Sequence, residues 1–188
     1  MLTASPPLLI RGLYGMTDPG AGDVDAQIAL LVDEGVAPIQ VRCKGWSRDA
    51  LRALAMRWRR RITLVVNDHA ALADELGLVA HLGQDDGPAR GAHGRSTHTL
   101  DQVTAATDAL YLGFGPIFPT STKDAQWPPR GCRMLAEAVR ATTLPIVAIG
   151  GITPANIDEV RGTGVAAWAV IGAIWRSPAP RAVIRALR

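Results

Sequence analysis

Short apolar runs alternate with amphipathic stretches along the whole of this chain, and few architectures accommodate that rhythm. Eight of the runs read as strands, at residues 13–17, 38–42, 62–66, 78–82, 94–97, 110–113, 146–149 and 166–171. The stretches between them repeat their apolar residues with helical spacing: Val24, Ile28, Leu31 and Val32 in the first, Leu51, Leu54, Ala55 and Trp58 in the second. A helix with one apolar face after each strand is the pattern of a parallel α/β fold. Shared among eight units, the 188 residues leave about 23 per unit, close to the roughly 20–22 that a strand, a helix and two short loops need. The expectation is one compact (β/α)8 barrel, a TIM barrel, over residues 1–188. An open doubly wound sheet would often carry a dinucleotide fingerprint after one strand, but Gly113-x-Gly115 runs into Pro116 without a third glycine.

One unit is cramped. Only nine residues, Gly87 to Arg95, separate Asp86 from Ser96, whereas a parallel crossover with its helix needs about a dozen. The fourth helix is therefore expected to be a single turn or missing. Start signals place other helices: Ser47 as an N-cap, Thr99 with Gln102 as a capping box, and Thr153-Pro154 and Ser177-Pro178 with Pro at the first helical position.

Charge and composition exclude several functions. A formal charge of +3 permits an anionic ligand such as a phosphate without requiring nucleic acid. The run Arg57, Arg59, Arg60, Arg61 reads as a solvated helix end, since no aromatic residues are interleaved for base stacking. No run reaches the roughly 18 apolar residues of a membrane span, and the N-terminus has no signal-peptide pattern. Two cysteines, Cys43 and Cys132, make no disulfide framework. A cytoplasmic chain acting on small phosphorylated molecules, without nucleic acid or membrane partners, is expected; a homo-oligomer is compatible with the sequence.

In such a barrel the chemistry lies at the C-terminal strand ends. After the second strand, Gln40, Arg42 and Lys44 share one face while Ile39, Val41 and Cys43 share the other. The apolar face must meet the helices, so the polar one is aimed into the barrel mouth, where two cations need an anion or a structural carboxylate partner. The third and fourth strands end in Asn67-Asp68 and Gln84-Asp85-Asp86, a carboxylate pair suited to magnesium, although helix capping by Asp68 and loop solvation would also account for them. After the sixth strand comes a long segment with little helical pattern, where Thr120, Ser121 and Thr122 stand beside Lys123. Residues 120–130 are expected to move and to close over a bound anion. Gly150-Gly151 and Ile171-Gly172 let backbone amides approach a ligand at the two strand ends where barrels commonly bind phosphate, or serve as plain turns. His81 reads as a hydrogen-bonded core residue, His69 and His93 as loop or helix-end residues, and His98 as a residue near the mouth.

The motifs QVRCK, ND, HLGQDD, GRSTHT, GFGPIFPTSTK and AIGGITPAN, in this order between about Leu13 and Trp175, resemble those of the thiamine phosphate synthase family. The resemblance implies a (β/α)8 barrel that joins hydroxymethylpyrimidine pyrophosphate to thiazole phosphate and releases pyrophosphate. It implies that Gln40 meets the pyrimidine, that Arg42, Lys44, Asn67, Ser96 and Lys123 hold the pyrophosphate, and that Asp68 and Asp86 hold Mg2+. It further implies that Thr120, Thr122, Gly151, Ile171 and Gly172 receive the thiazole phosphate. Cys43 stands where the family usually has glutamate and Gly172 where it has serine, and the segments 44–67 and 86–96 look short. The shortened fourth unit could therefore disturb Asp86 and Ser96, which flank it. Two other functions share this fold: a thiazole tautomerase-like relative, which typically lacks the second metal aspartate, and a non-catalytic phosphate binder, which should have lost Lys44 or Lys123.

Overall fold

The computed structural model describes residues 8–86, 90–120 and 127–188, in which eight parallel strands close into a barrel in sequence order. β1 (Gly12–Met16) is followed by α1 (Val24–Asp33), β2 (Ile39–Val41) by α2 (Arg48–Trp58), and β3 (Leu64–Asn67) by α3 (Ala70–Leu76). β4 (Val79–Leu82) runs to β5 (His93–Thr97) with no helix among the described residues between them. After β5 come α4 (Leu100–Ala105), β6 (Tyr111–Phe114), α5 (Gly131–Ala141), β7 (Ile146–Ile149) and α6 (Ile157–Arg161), and β8 (Ala167–Ala169) is followed by α7 (Gly172–Trp175) and α8 (Pro180–Leu187). The expected barrel and its cramped fourth unit are both present.

Alternation along each strand divides the interior into two cores. Outward residues such as Leu13, Ile39, Val41, Leu64, Val66 and Leu82 pack against the helices, including Ile28 and Leu31 of α1 and Leu51, Leu54, Ala55 and Trp58 of α2. Inward residues, among them Tyr14, Met16, Val65, Tyr111, Val147 and Ala169, fill the barrel. Tyr111 fits there because its neighbour across the ladder is Gly94: a Cβ at Gly94 would lie 2.2 Å from the phenol ring. Here, where no helix is found among the described residues, the outward face of β5 turns polar. His93 is buried with Nδ1 3.1 Å from the Gly91 carbonyl, and Arg95 donates to the Gly83 carbonyl at 3.1 Å. His93 thus belongs to a strand, not to a loop or helix end; its five-residue strand begins one position earlier than the glycine at 94 suggests.

Two caps form as expected: Ser47 Oγ accepts from the Ala50 amide, and Thr99 Oγ1 accepts from the Gln102 amide. The Gln102 side chain returns to the His98 amide instead of that of Thr99, so the box is closed one residue early. The two Pro signals mark turns that precede their helices. Thr153 Oγ1 accepts from the Ala155 amide and Ser177 Oγ from the Ala179 amide, and these turns delay α6 to Ile157 and α8 to Pro180. At the base, the buried Glu34 is gripped by Arg185 and Arg181 of α8, whose bonds, Arg185 first, pull its carboxyl down to about 2. That stabilisation is complete above the ordinary carboxylate range and is lost as pH falls towards 2.

Candidate active site

A cavity of about 410 Å³ opens at the C-terminal strand ends. The alternation after β2 places its residues as expected: Gln40, Arg42 and Lys44 line the cavity, while Ile39, Val41 and Cys43 join the outer core. Cys43 in place of an acidic residue therefore leaves the cavity wall unchanged, and burial pushes its thiol pKa up. Gln40 is buried, and its Nε2 donates to Asn67 Oδ1 at 2.7 Å, joining β2 to β3 and leaving the amide oxygen for a ligand. The Arg42 amide donates to Thr17 Oγ1 at 3.0 Å, which fastens the end of β2 to the end of β1. Among the described residues neither Arg42 nor Lys44 is held in an ion pair, although both act on the charge of the nearby Asp68 carboxyl.

Asp68 lines the same wall in an unusual backbone conformation, with φ 63°. Its amide donates to the His81 carbonyl at 2.9 Å, which ends the ladder between β3 and β4. It does not cap α3, whose N-cap is His69 without a side-chain bond. The Asp68 carboxyl is raised above its ordinary value, first by partial removal from water and then by the charge of Asp86, against the pull of Lys44 and Arg42. Asp86 sits at the rim beyond the cavity wall, where its Oδ2 accepts from the Gly83 amide at 2.6 Å. This turn is braced to β5 twice, by Arg95 on the Gly83 carbonyl and by Gln84 Nε2 on the Ser96 carbonyl. The short connection thus keeps Asp86 and Ser96 tied together, and Ser96 stays in register opposite Gly113.

A chain of hydrogen bonds runs from the barrel interior to the cavity. Tyr14 Oη lies 2.7 Å from Tyr111 Oη, Tyr111 Oη 2.9 Å from His81 Nδ1, and His81 Nε2 2.9 Å from Ser96 Oγ. All four side chains line the cavity. Burial is the main reason both phenols have raised pKa values, so both remain protonated donors. His81 is hydrogen-bonded, as its place in a strand suggests, but it also faces the cavity. Gly113 makes room for it, since a Cβ there would lie 3.2 Å from His81 Cε1.

The opposite edge is made of backbone. Residues 115–119 lie against the end of β7, with the Ile117 amide donating to the Ile149 carbonyl at 2.9 Å and Phe118 to Gly150 at 3.0 Å. Gly150 and Gly151 have φ values of 99° and 66°. A Cβ on Gly151 would come within 2.5 Å of the Pro119 carbonyl oxygen, so both conformation and space require glycine. Asn156 secures this turn by accepting from the Thr153 amide and donating to the Gly151 carbonyl at 3.0 Å. Thr120, Gly151, Ile171 and Gly172 all line the cavity. Ser121, Thr122 and Lys123 lie outside the described residues, as do residues 124–126 of the expected closing segment. At the rim, Trp127 stacks on His98 with ring centroids 5.2 Å apart, and the Arg130 guanidinium lies 5.0 Å from the Trp127 ring centre.

Several cavity residues carry no polar or charged signal at a strand end. Tyr14 and Met16 follow from the alternation of β1, whose inward face carries no charge to draw attention. In the sequence Thr153 carries only a helix-start signal, and Arg176 becomes visible only once Gly172 is known to open a helix. Trp127 has no local signal. Among the described residues no three His, Cys, Asp or Glu side chains form a metal cluster. A carboxylate pair is instead a donor set for a hard cation that completes its shell with water and phosphate oxygens.

Residues 13–174 match the sequence model of the family described as thiamine monophosphate synthase. A thiamine-phosphate synthase of Anaeromyxobacter dehalogenans is 37% identical, covering 92% of this chain and 84% of that protein. One from Caldicellulosiruptor bescii is 36% identical over 81% of this chain and 78% of its own length. Among solved structures, a thiamine phosphate pyrophosphorylase from Pyrococcus furiosus superposes with a TM-score of 0.81 at 27% identity, covering 95% of this chain and 94% of that one. A 3-hexulose-6-phosphate synthase from Salmonella typhimurium, at 14% identity and a TM-score of 0.69, shares the fold.

Proposed function

The chain belongs to the thiamine monophosphate synthase family, and from that premise we propose that it joins hydroxymethylpyrimidine pyrophosphate to thiazole phosphate, giving thiamine phosphate and pyrophosphate. The observation that carries this reading is the convergence on one cavity of Gln40, Arg42, Lys44, Asn67, Asp68 and Ser96 from one side and of the Gly151 and Gly172 edges from the other. One side offers charge and hydrogen bonds to a pyrophosphate, and the other offers backbone to a phosphate.

In this reading the Gln40 amide oxygen accepts from the aminopyrimidine, with its Nε2 already committed to Asn67. Arg42, Lys44, the Asn67 amide and Ser96 surround the pyrophosphate, and Lys123 is proposed to join them. As the carbon–oxygen bond to pyrophosphate breaks, these donors stabilise the growing negative charge on the leaving group. The thiazole nitrogen then attacks the pyrimidinyl methylene cation. No protein nucleophile is needed, and the chain's contribution is position and field. The buried phenols of Tyr14 and Tyr111 close the floor and keep water from trapping the cation.

For Ser96 to donate to a pyrophosphate oxygen, its Oγ must accept from His81 Nε2–H. Nδ1 then accepts from Tyr111, which in turn accepts from Tyr14, so the hydroxyl's direction is set from within the barrel. Asp68 and Asp86 would hold Mg2+, because the Asp68 carboxyl, raised first by burial and then by the charge of Asp86, is one of two carboxylates whose crowded negative charge a dication relieves. When bound, that ion would neutralise pyrophosphate charge. Thr120, Thr122, Gly151, Ile171 and Gly172 would receive the thiazole phosphate. With Cys43 and Cys132 as free thiols and, among the described residues, no helix long and apolar enough to cross a membrane, we place this activity in the cytoplasm.

The test is incubation with both substrates and magnesium, with assay of thiamine phosphate and pyrophosphate in equal amounts. Failure to form thiamine phosphate would overturn the assignment.

A further inference from the structure

Two anionic groups must enter this cavity, yet the two lining cations discussed so far, Arg42 and Lys44, lie on one side of it. Arg42 and Lys44 both follow β2. The edge at β7 and β8 is glycine backbone with the hydroxyls of Thr120 and Thr153. A phosphate monoester carries roughly −1.5 to −2 at neutral pH, and amides and hydroxyls alone leave most of that charge uncompensated.

Among the described residues three permanent cations line the cavity, and the third is Arg176. It follows Gly172 by four positions, and its amide donates to the Gly172 carbonyl at 3.0 Å. One helical turn therefore separates the two residues, which puts them on the same face of α7 and its continuation. Gly172 has no side chain to stand between Arg176 and the backbone edge. The platform is fixed from both sides: Ile174 is fully buried, and Trp175 Nε1 donates to the Met16 carbonyl at 2.7 Å, anchoring α7 to the end of β1. Arg176 itself is exposed at the rim, where a long side chain can reach inward over the glycine.

We propose that Arg176 is a binding residue for the phosphate of the thiazole substrate. This inference rests on the synthase reading given above and names the charged partner that reading lacks. The site then has two cationic poles on opposite walls, one for pyrophosphate and one for monophosphate. A guanidinium can grip the phosphate through two parallel N–H bonds, a stronger contact than the single hydroxyl that a serine at 172 would offer. The glycine leaves open the path that the arginine uses.

The test is direct titration of thiazole phosphate, of the phosphate-free thiazole alcohol and of hydroxymethylpyrimidine pyrophosphate against wild type, Arg176→Gln and Arg176→Lys. Loss of one charge-assisted contact at an exposed position is expected to weaken thiazole phosphate by about tenfold in Arg176→Gln. Arg176→Lys should fall between that variant and wild type, and the other two ligands should be unaffected. Equal thiazole phosphate affinities in wild type and Arg176→Gln would overturn the proposal, as would an equal loss for the alcohol, which would indicate packing and not charge. The synthase reading fails in a different measurement, the absence of thiamine phosphate when wild type is given both substrates. Because Arg176 is exposed, unfolding is not expected, and thermal melts of both variants check this.

Discussion

The two walls of the barrel mouth are built from different materials. From β2 to β5 the wall is made of side chains: an amide pair, two cations, one carboxylate with a second at the rim, and a serine hydrogen-bonded to a histidine. From β6 to β8 it is largely backbone, with glycines at φ 99° and 66° pressed against residues 115–119. The difference lies in what each wall tolerates. A side-chain wall can lose a functional group and keep its shape, whereas a backbone wall loses its shape where an added atom has no room, as at Gly150 and Gly151. Substitutions on the first should therefore alter chemistry at constant stability, and those at Gly150 and Gly151 should alter both together.

The largest effect should come from the carboxylate pair. Asp86→Asn is expected to lower turnover at least about tenfold, and chelation of divalent metal should abolish it, with the melting temperature little changed because Asp86 is exposed. Undiminished turnover in chelator would remove the metal from the side-chain wall.

Gly151→Ala attacks the other wall. A left-handed non-glycine residue costs about 1–2 kcal/mol, and the new Cβ would meet the Pro119 carbonyl oxygen at 2.5 Å and Phe118 Cβ at 2.7 Å. Residues 116–119 must then shift. Thiazole phosphate affinity is expected to fall by about tenfold, with a lower melting temperature and unchanged affinity for the pyrimidine substrate. An alanine variant with wild-type stability and affinity would show that the backbone wall is more compliant than its contacts indicate.

The same division decides what could be read from residues alone. The barrel was legible because eight short runs leave room for little else, and the β2 wall because alternation fixes which of Gln40, Val41 and Arg42 faces inward. The cramped fourth unit, with no helix among the described residues, followed from simple shortage of chain. The tie between Asp86 and Ser96 was not legible, because it depends on Arg95 and Gln84 reaching back to carbonyls. Nor was the length of the chain ending at Ser96: Tyr14 and Tyr111 are 97 residues apart and meet only in the closed barrel. The place of Arg176 depends on where α7 begins, and the pattern had run the last strand on to residue 171 whereas it ends at Ala169.

A smaller effect should come from the oriented serine. If His81 sets the Ser96 hydroxyl, His81→Gln should lower turnover by about three- to tenfold, and the same change in a Ser96→Ala background should cost little more. Additive losses would mean that His81 acts on the substrate independently of Ser96. In either case thiazole phosphate affinity should stay fixed, since the bonds in question end on the opposite wall.

The smallest effect is expected at Gly172, where the backbone conformation is one that a side chain can adopt. Gly172 opens α7 and is absent from the positive-φ residues, so serine can adopt its conformation, unlike any replacement at Gly151. A serine there would add one hydroxyl towards the thiazole phosphate. A hydrogen bond to a charged acceptor is worth roughly 1.5–3 kcal/mol when nothing else supplies it, but water supplies part of it, and Arg176 already answers the charge. Gly172→Ser should therefore tighten thiazole phosphate by no more than about threefold in the wild-type background. In the Arg176→Gln background the gain should be larger, because the hydroxyl then substitutes for a lost donor. The pyrimidine substrate, held from β2 to β5, should bind equally in all four proteins. Equal gains in both backgrounds would mean that Gly172 and Arg176 address different atoms of the ligand, and a gain confined to the pyrimidine substrate would show that the two walls are not separate sites.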